Sequence, residues 1–182
     1  LGYAGDFEII DKFYQNHVSP LQHLARWDTF WQSHPAAQAV RNRAHYLNAL
    51  LLNHCSARTE KPLEVLNIAS GPGRDLLHFF DKNPNANVHI DCIEQDKKAI
   101  RHASDLCKDH IAKLTFIEKN ALRFNTDKKY DLIWSAGLFD YFNDDIFAFM
   151  LKKLSGMLVS DGEIVIGNFS TKNPSRAYME LF

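Results

Sequence analysis

The sequence is poor in the features that mark several large protein classes. No stretch approaches the roughly 20 consecutive apolar residues that a membrane helix needs, and the start has no basic segment followed by an apolar one. No membrane span is therefore expected, and the chain reads as soluble. Charge of one sign is also missing: 21 Lys and Arg stand against 22 Asp and Glu, a formal net charge of −1. Without a broad positive field, nucleic acid is not an expected partner. Cysteine is scarce. Cys55, Cys92 and Cys107 are odd in number and not closely spaced, and two fall in apolar segments, so they read as reduced, buried thiols of a cytoplasmic protein. The nine histidines show no pairing at metal-ligand spacing, and lone ones such as His78 and His102 read as helix-surface residues. No metal site is expected. There is no internal repeat and no low-complexity tract.

What the chain does have is enough apolar residue, 46% of 182 positions, to bury one sizeable core. Residues 1–60 read as a helical cap. Phe7, Ile10 and Tyr14 share one helix face. A second helix is expected from Ser19 as N-cap and Pro20 as first residue, with Leu21, Leu24, Trp27 and Trp31 on an apolar stripe that His34-Pro35 ends. A third, about Ala36 to Cys55, turns Val40, Leu47, Leu50 and Leu51 inward. From residue 61 to 182 the pattern changes to short apolar runs alternating with amphipathic helices, the signature of βαβ units and a parallel sheet. Strands are expected at Leu63 to Ile68, Val88 to Ile93, Leu114 to Ile117, Tyr130 to Trp134 and Glu163 to Gly167. Helices are expected at about Asp75 to Asp81, Lys97 to His110 and Asp144 to Met157, with Asn143 capping the last. Ser160-Asp161-Gly162 reads as a turn. The fold class is thus α/β, a Rossmann-like doubly wound parallel sheet with an N-terminal helical extension.

The first strand runs directly into Ala69-Ser70-Gly71-Pro72-Gly73, which opens a helix. Two glycines let a ligand approach the backbone, and the helix start offers unpaired N–H groups. Glu94 ends the second strand roughly 20 residues further on, where a doubly wound nucleotide fold places an acid for ribose hydroxyls. A solvated acid at a strand end is the plainer alternative. Asp96 reads as the cap of the next helix. A dinucleotide fingerprint would require glycine where Leu76 stands, so NAD or FAD fits poorly and a single adenosine with a short charged tail fits better.

Over roughly Leu63 to Asn168 the sequence resembles the class I methyltransferases that use S-adenosylmethionine (SAM). Asn67 stands at the family's acid and Ala69 at its first glycine, whereas Gly71 and Gly73 match. The resemblance implies a SAM site formed by Asn67, Ala69, Ser70, Gly71, Pro72 and Gly73, with Glu94 on the ribose. Gln95, Asn120, Ala121 and Leu122 would line the adenine pocket, and Ser135 and Gly137 would leave room for the methionine part. Leu138 to Phe142, with Asp140 and Tyr141, would face the methyl acceptor. Shorter blocks, Gly2-Tyr3-Ala4-Gly5-Asp6, Ala39-Val40-Arg41-Asn42-Arg43 and Asn173-Pro174-Ser175-Arg176-Ala177-Tyr178, resemble a bacterial group that makes 3-hydroxypalmitic acid methyl ester.

A carboxylate acceptor is already ionised at neutral pH and needs no general base, in keeping with the lack of an obvious catalytic constellation. Arg41 and Arg43 are candidates to hold such a carboxylate, and Tyr3 to approach it, if the cap covers the carboxyl edge of the sheet. A salt bridge within the cap is the alternative for the arginines. Three functions are carried forward. One is methyl transfer to a small or lipid-like acid, including a hydroxy fatty acid. The others are a SAM-binding regulatory or interaction module without catalysis, and a nicotinamide-dependent oxidoreductase. Because the sequence starts at Leu1 and ends at Phe182 within an apparent amphipathic helix, it reads as part of a longer protein whose open sheet edge would favour a homodimer.

Overall fold

The computed structural model describes residues 6–56 and 60–179. The candidate Tyr3 lies outside the described residues. Five strands, β1 (Leu63–Ile68), β2 (Val88–Glu94), β3 (Leu114–Glu118), β4 (Tyr130–Ser135) and β5 (Leu158–Ile166), form one sheet in the order β3-β2-β1-β4-β5. All four pairings are parallel. Helices α4 (Arg74–Lys82), α5 (Lys97–Leu106) and α6 (Asp144–Ser155) connect the strands, and α1 (Phe7–Tyr14), α2 (Gln22–Ser33) and α3 (Pro35–Ser56) precede them. A one-turn helix, α7 (Arg176–Met179), follows β5.

The central strands β1, β2 and β4 are buried at nearly every position because both sheet faces are covered, and the period-two geometry sends alternate residues to opposite layers. Val65 and Ile90 pack with Leu47 and Leu51 of α3 and with Leu76, Phe79 and Phe80 of α4. On the other face Leu66, Ile68, Ile93 and Ile133 meet Met150 and Leu154 of α6. The chain leaves β1 toward β2 and β3, then crosses back to β4 and β5. The reversal opens a crevice at the carboxyl ends of β1 and β4, where ligands bind in such sheets.

Three local expectations are corrected. Ser160-Asp161-Gly162 is not a turn ahead of a strand at Glu163. It lies inside β5, where Tyr130 pairs with Leu158 but Leu132 pairs with Glu163, so the extra residues form a bulge. A Cβ at Gly162 would fall 2.9 Å from Leu158 Cδ2 and 3.0 Å from the Tyr130 carbonyl, which is why glycine sits there. Helix α2 does not start at Ser19-Pro20. The Ser19 N–H donates to Asp28 Oδ2 at 2.8 Å and its hydroxyl accepts from the Leu21 N–H at 3.2 Å, making a turn before Leu21, the actual cap. The stripe expected to bury Leu21, Leu24 and Trp27 is open to solvent, with Trp27 64% exposed. The buried residue of α2 is instead Gln32, whose amide donates to the Lys12 and His17 carbonyls.

The N-terminal helices are fastened to the sheet layer by charge. Asp11 of α1, nearly buried, accepts from Arg74 Nε and Nη2 at the start of α4 and from the Gln15 amide, and His102 Nε2 of α5 lies 3.4 Å away. After β5 the chain returns to the same helices: the buried Ser175 hydroxyl accepts from the Ala36 N–H at 3.0 Å and lies 2.8 Å from His34 Nδ1.

Candidate active site

The turn after β1 has three residues in the left-handed region, Ala69 (φ +55°), Gly71 (φ +60°) and Gly73 (φ +71°). The two glycines serve different neighbours. A Cβ on Gly71 would meet no atom within 4 Å, because the position opens on a cavity. A Cβ on Gly73 would come within 3.0 Å of Ala103 Cβ, so that glycine lets α4 and α5 approach. Glu94, at the end of β2, ties the turn down: Oε2 accepts from the Gly71 N–H at 3.1 Å, and Oε1 accepts from the N–H groups of Gln95 and Asp96 at 2.8 and 3.0 Å. Asp96 also caps α5 through the Lys98 N–H.

The crevice is a cavity of about 1170 Å³, bounded by the sheet's carboxyl edge on one side and the N-terminal helices on the other. From the Gly-rich turn it is lined by Asn67, Ala69, Ser70, Gly71 and Pro72. Glu94 and Gln95 follow from β2, and Asn120, Ala121 and Leu122 from the short turn after β3. Gly137, Asp140 and Tyr141 come from the segment after β4, and Arg43 from α3. Gly73 and Ser135 do not reach the cavity. Gly73 faces α5, and the fully buried Ser135 donates its hydroxyl to the Ile68 carbonyl at 3.2 Å. Asn120 spends its side-chain oxygen on the Leu122 N–H at 2.9 Å and donates its amide to Gln95 Oε1 at 2.8 Å.

The two arginines part company. Arg41 turns into the helical layer and donates to the carbonyls of Phe13 and Gln32 and to the Gln32 and Gln38 side chains. It does not line the cavity. Arg43 does, and its Nη1 donates to the Ala136 carbonyl at 2.8 Å while Nε points to the Tyr14 hydroxyl at 3.4 Å. Among the described residues Nη2 of Arg43 has no hydrogen-bond acceptor. Gly137 makes room for this guanidinium, since a Cβ there would stand 3.2 Å from Nη1.

Sequence reasoning passed over several groups in this cavity. Asp75, in the first turn of α4, is 5% exposed, and burial pushes its carboxyl up to about 6 against the opposing pull of the Leu76 N–H and Arg43. As a first-turn acid it has the ordinary signature of a helix-dipole partner, which conceals any other use. Burial, together with the nearby Asp75, also raises the Tyr14 phenol. Asp140 is raised by burial, with Arg43 opposing. Phe7, Ile10, Phe13 and Trp31 form an apolar and aromatic roof, with Phe169 beyond β5. Their helical periodicity was visible in the sequence, but the same pattern describes packing residues.

Fold and cavity together define a Rossmann-like ligand-binding domain. Residues 65–162 match the methyltransferase domain family, and the chain belongs to that family. It is 27% identical over 123 residues to malonyl-[acyl-carrier protein] O-methyltransferase 1 of Ilyobacter polytropus, covering 68% of this chain and 42% of that protein. Among solved structures, a protein of Bordetella parapertussis described as a possible exported protein superposes with a TM-score of 0.70 at 24% identity, over 88% of this chain and 53% of that one. N-methyltransferase NodS from Bradyrhizobium japonicum WM9, solved with S-adenosylhomocysteine, gives a TM-score of 0.55 at 17% identity over 88% and 71% of the two chains. The chain thus spans about half the length of the first relatives it matches. Among the described residues no helix is long and apolar enough to cross a membrane.

Proposed function

We propose that this chain binds SAM in the crevice at the carboxyl edge of the sheet and transfers its methyl group to a small or lipid-like acid that enters beneath the helical roof. The observation that carries this reading is the shared cavity: one wall is the Gly-rich turn with Glu94, and the other is a helical layer rich in apolar side chains in which, among the described residues, Arg43 is the one guanidinium. The residues fit the cofactor. Gly71 leaves a gap that a side chain would fill, and Asn67 Nδ2 at the cavity floor has no hydrogen-bond partner in the protein. Glu94 keeps a carboxylate edge beside the turn for ribose hydroxyls, while Gln95, Ala121 and Leu122 offer a slot for the adenine ring.

When bound, SAM supplies an electrophilic methyl group on a sulfonium. The chain's own contribution is alignment and exclusion of water. Arg43 is anchored by the Ala136 carbonyl and retains Nη2 to hold an acceptor carboxylate. A carboxylate brings its own nucleophilic oxygen in ionised form, so no residue has to remove a proton. The aromatic roof suits an acceptor with an apolar chain, and a relative named for a malonyl acyl-carrier substrate lends support to an acid acceptor. A 3-hydroxy fatty acid is the finer form of this proposal. The oxoanion role falls to Arg43 alone, because Arg41 is consumed within the helical layer.

The test is transfer of labelled methyl from SAM to a panel of 3-hydroxy fatty acids, short dicarboxylic acids and malonyl thioesters, with Arg43→Lys in parallel. Methyl ester formation with a raised KM in R43K is the expected result. Binding of SAM without methylation of any acid would favour a SAM-binding module. Binding of NAD in place of SAM is not expected, since Leu76 fills the core where a dinucleotide turn would need glycine.

A further inference from the structure

The cavity that would take SAM has carboxylates of very different availability. Glu94 is engaged by three backbone N–H groups, and Asp96 is spent on capping α5. Asp28 accepts from Ser19. Asp75 is different: its carboxylate accepts only from backbone N–H groups, that of Leu76 at 3.0 Å and its own, and among the described residues no Lys, Arg or His lies in ion-pair contact with it. Arg43 is its nearest cationic influence, but its guanidinium is bonded to the Ala136 carbonyl and is shared electrostatically with Asp140. One cation thus serves the buried Asp75 and the half-buried Asp140. A buried carboxylate without a partner is expensive, and a ligand ammonium placed against it would supply the missing ion pair.

We propose that Asp75 is the counter-ion for the α-ammonium group of the cofactor's amino-acid part, the contact that Asn67, being uncharged, cannot supply as an ion pair. The position suits this role. Asp75 lies two residues past Gly73 in the first turn of α4 and borders the same cavity as Asn67 and Gly71. The titratable groups coupled to it electrostatically are the Tyr14 hydroxyl from α1, Arg43 from α3 and the Cys92 and Cys107 thiols, of which only Arg43 is charged at neutral pH. The inference rests on the SAM reading above but makes a narrower claim about which side chain selects the amino-acid end.

Calorimetry with two ligands separates the two ideas. S-adenosylhomocysteine carries the ammonium, and 5′-methylthioadenosine keeps adenosine and sulfur but lacks the amino-acid part. In the unaltered chain both should bind, the former more tightly. Asp75→Asn should weaken S-adenosylhomocysteine at least tenfold and leave 5′-methylthioadenosine within twofold. Equal weakening of both, or unchanged affinity for S-adenosylhomocysteine, would overturn the assignment. Failure of the unaltered chain to bind either ligand would instead overturn the SAM reading. If Asp75→Asn does not fold, the unaltered chain still decides: between pH 5 and 7.5 the affinity for S-adenosylhomocysteine should rise with pH as Asp75 ionises, while that for 5′-methylthioadenosine should not. Parallel pH profiles for the two ligands would defeat the proposal.

Discussion

Gly71 and Gly73 are two positions apart and share the left-handed backbone region, yet one is required by open space and the other by a crowded one. Gly71→Val should abolish S-adenosylhomocysteine binding, because its branches would enter the cavity, and should also strain a backbone that costs roughly 1–2 kcal/mol outside glycine. Gly73→Ala should lower the melting temperature while leaving affinity nearly intact, since its methyl meets Ala103 rather than the ligand space. Calorimetry and thermal melts on both variants check this contrast. The turn was legible from its glycines, but the Glu94 carboxylate's bond to the Gly71 N–H was not, because it joins ends of two strands that only parallel pairing brings together. Asp75 carries a second residue-scale expectation. Its carboxyl is raised on folding, mainly by burial, from 3.8 to about 6. A carboxyl with a raised folded value costs stability as pH climbs past the unfolded value, and the full cost, of order 2–3 kcal/mol, is reached above the folded one. Asp75→Asn should therefore stabilise the ligand-free protein at pH 7.5, and the gain should fade below about pH 4. A thermal melt showing no gain at pH 7.5 would mean that Asp75 is already compensated in the ligand-free state.

At the scale of elements, β1 and β4 were readable because burial on both faces makes each a short, largely apolar run, and β1 and the start of β4 fall where the pattern put them, whereas the edge strand β5 is partly exposed and its Ser160-Asp161-Gly162 reads as a turn. Helix α2 was readable only as a helix. Its apolar stripe invited a core assignment, but Leu24, Trp27 and Phe30 remain exposed, and the helix is held at its far end by the Gln32 amide and by Trp31 against the cavity. Periodicity reports a face and does not say what covers it. Leu24→Gln and Trp27→Gln should accordingly change stability by less than about 0.5 kcal/mol, whereas Leu51→Ala, at a fully buried position of α3, should cost about 2–5 kcal/mol. Urea unfolding of the three variants measures the difference. Helix α1 depends on a different kind of contact. Asp11→Ala would leave Arg74 without its carboxylate and remove a charge-assisted pair worth about 1.5–3 kcal/mol. Hydrogen exchange should then accelerate in α1 while β1 and β4 keep their protection. Equal acceleration throughout would show that the helical layer and the sheet unfold as one unit, against the proposed division of the chain into residues 1–60 and 61–182.

At the scale of the whole molecule, a second polar network away from the cavity joins β1, β2, β3 and β4. There Lys128 Nζ reaches Asp91 Oδ2 and Glu64 Oε2, both at 2.8 Å, and the buried Tyr130 hydroxyl donates to the same Asp91 oxygen at 2.9 Å. His89 Nε2 lies 3.2 Å from Asp91 Oδ1 and 3.0 Å from the Thr115 hydroxyl. Burial alone would raise Asp91, but the bonds from Lys128 and Tyr130 outweigh it and hold the carboxyl below its ordinary value. A carboxyl lowered on folding contributes stability above its unfolded value and loses it as pH falls through the folded one. This network therefore stabilises the protein at neutral pH and weakens in acid below about pH 4, the reverse of Asp75. Tyr130→Phe removes one of the two principal donors without changing the ring that fills the core. It should cost about 1–2 kcal/mol at pH 7, less at pH 3, and nothing in affinity for S-adenosylhomocysteine, because Tyr130 begins β4 at the end away from the cavity. Melting temperatures at the two pH values, with calorimetry at pH 7, decide it. A loss of affinity in Tyr130→Phe would mean that strain at one end of β4 reaches Ala136 and Gly137 at the other, and Arg43, which is anchored there, would be the first contact to re-examine.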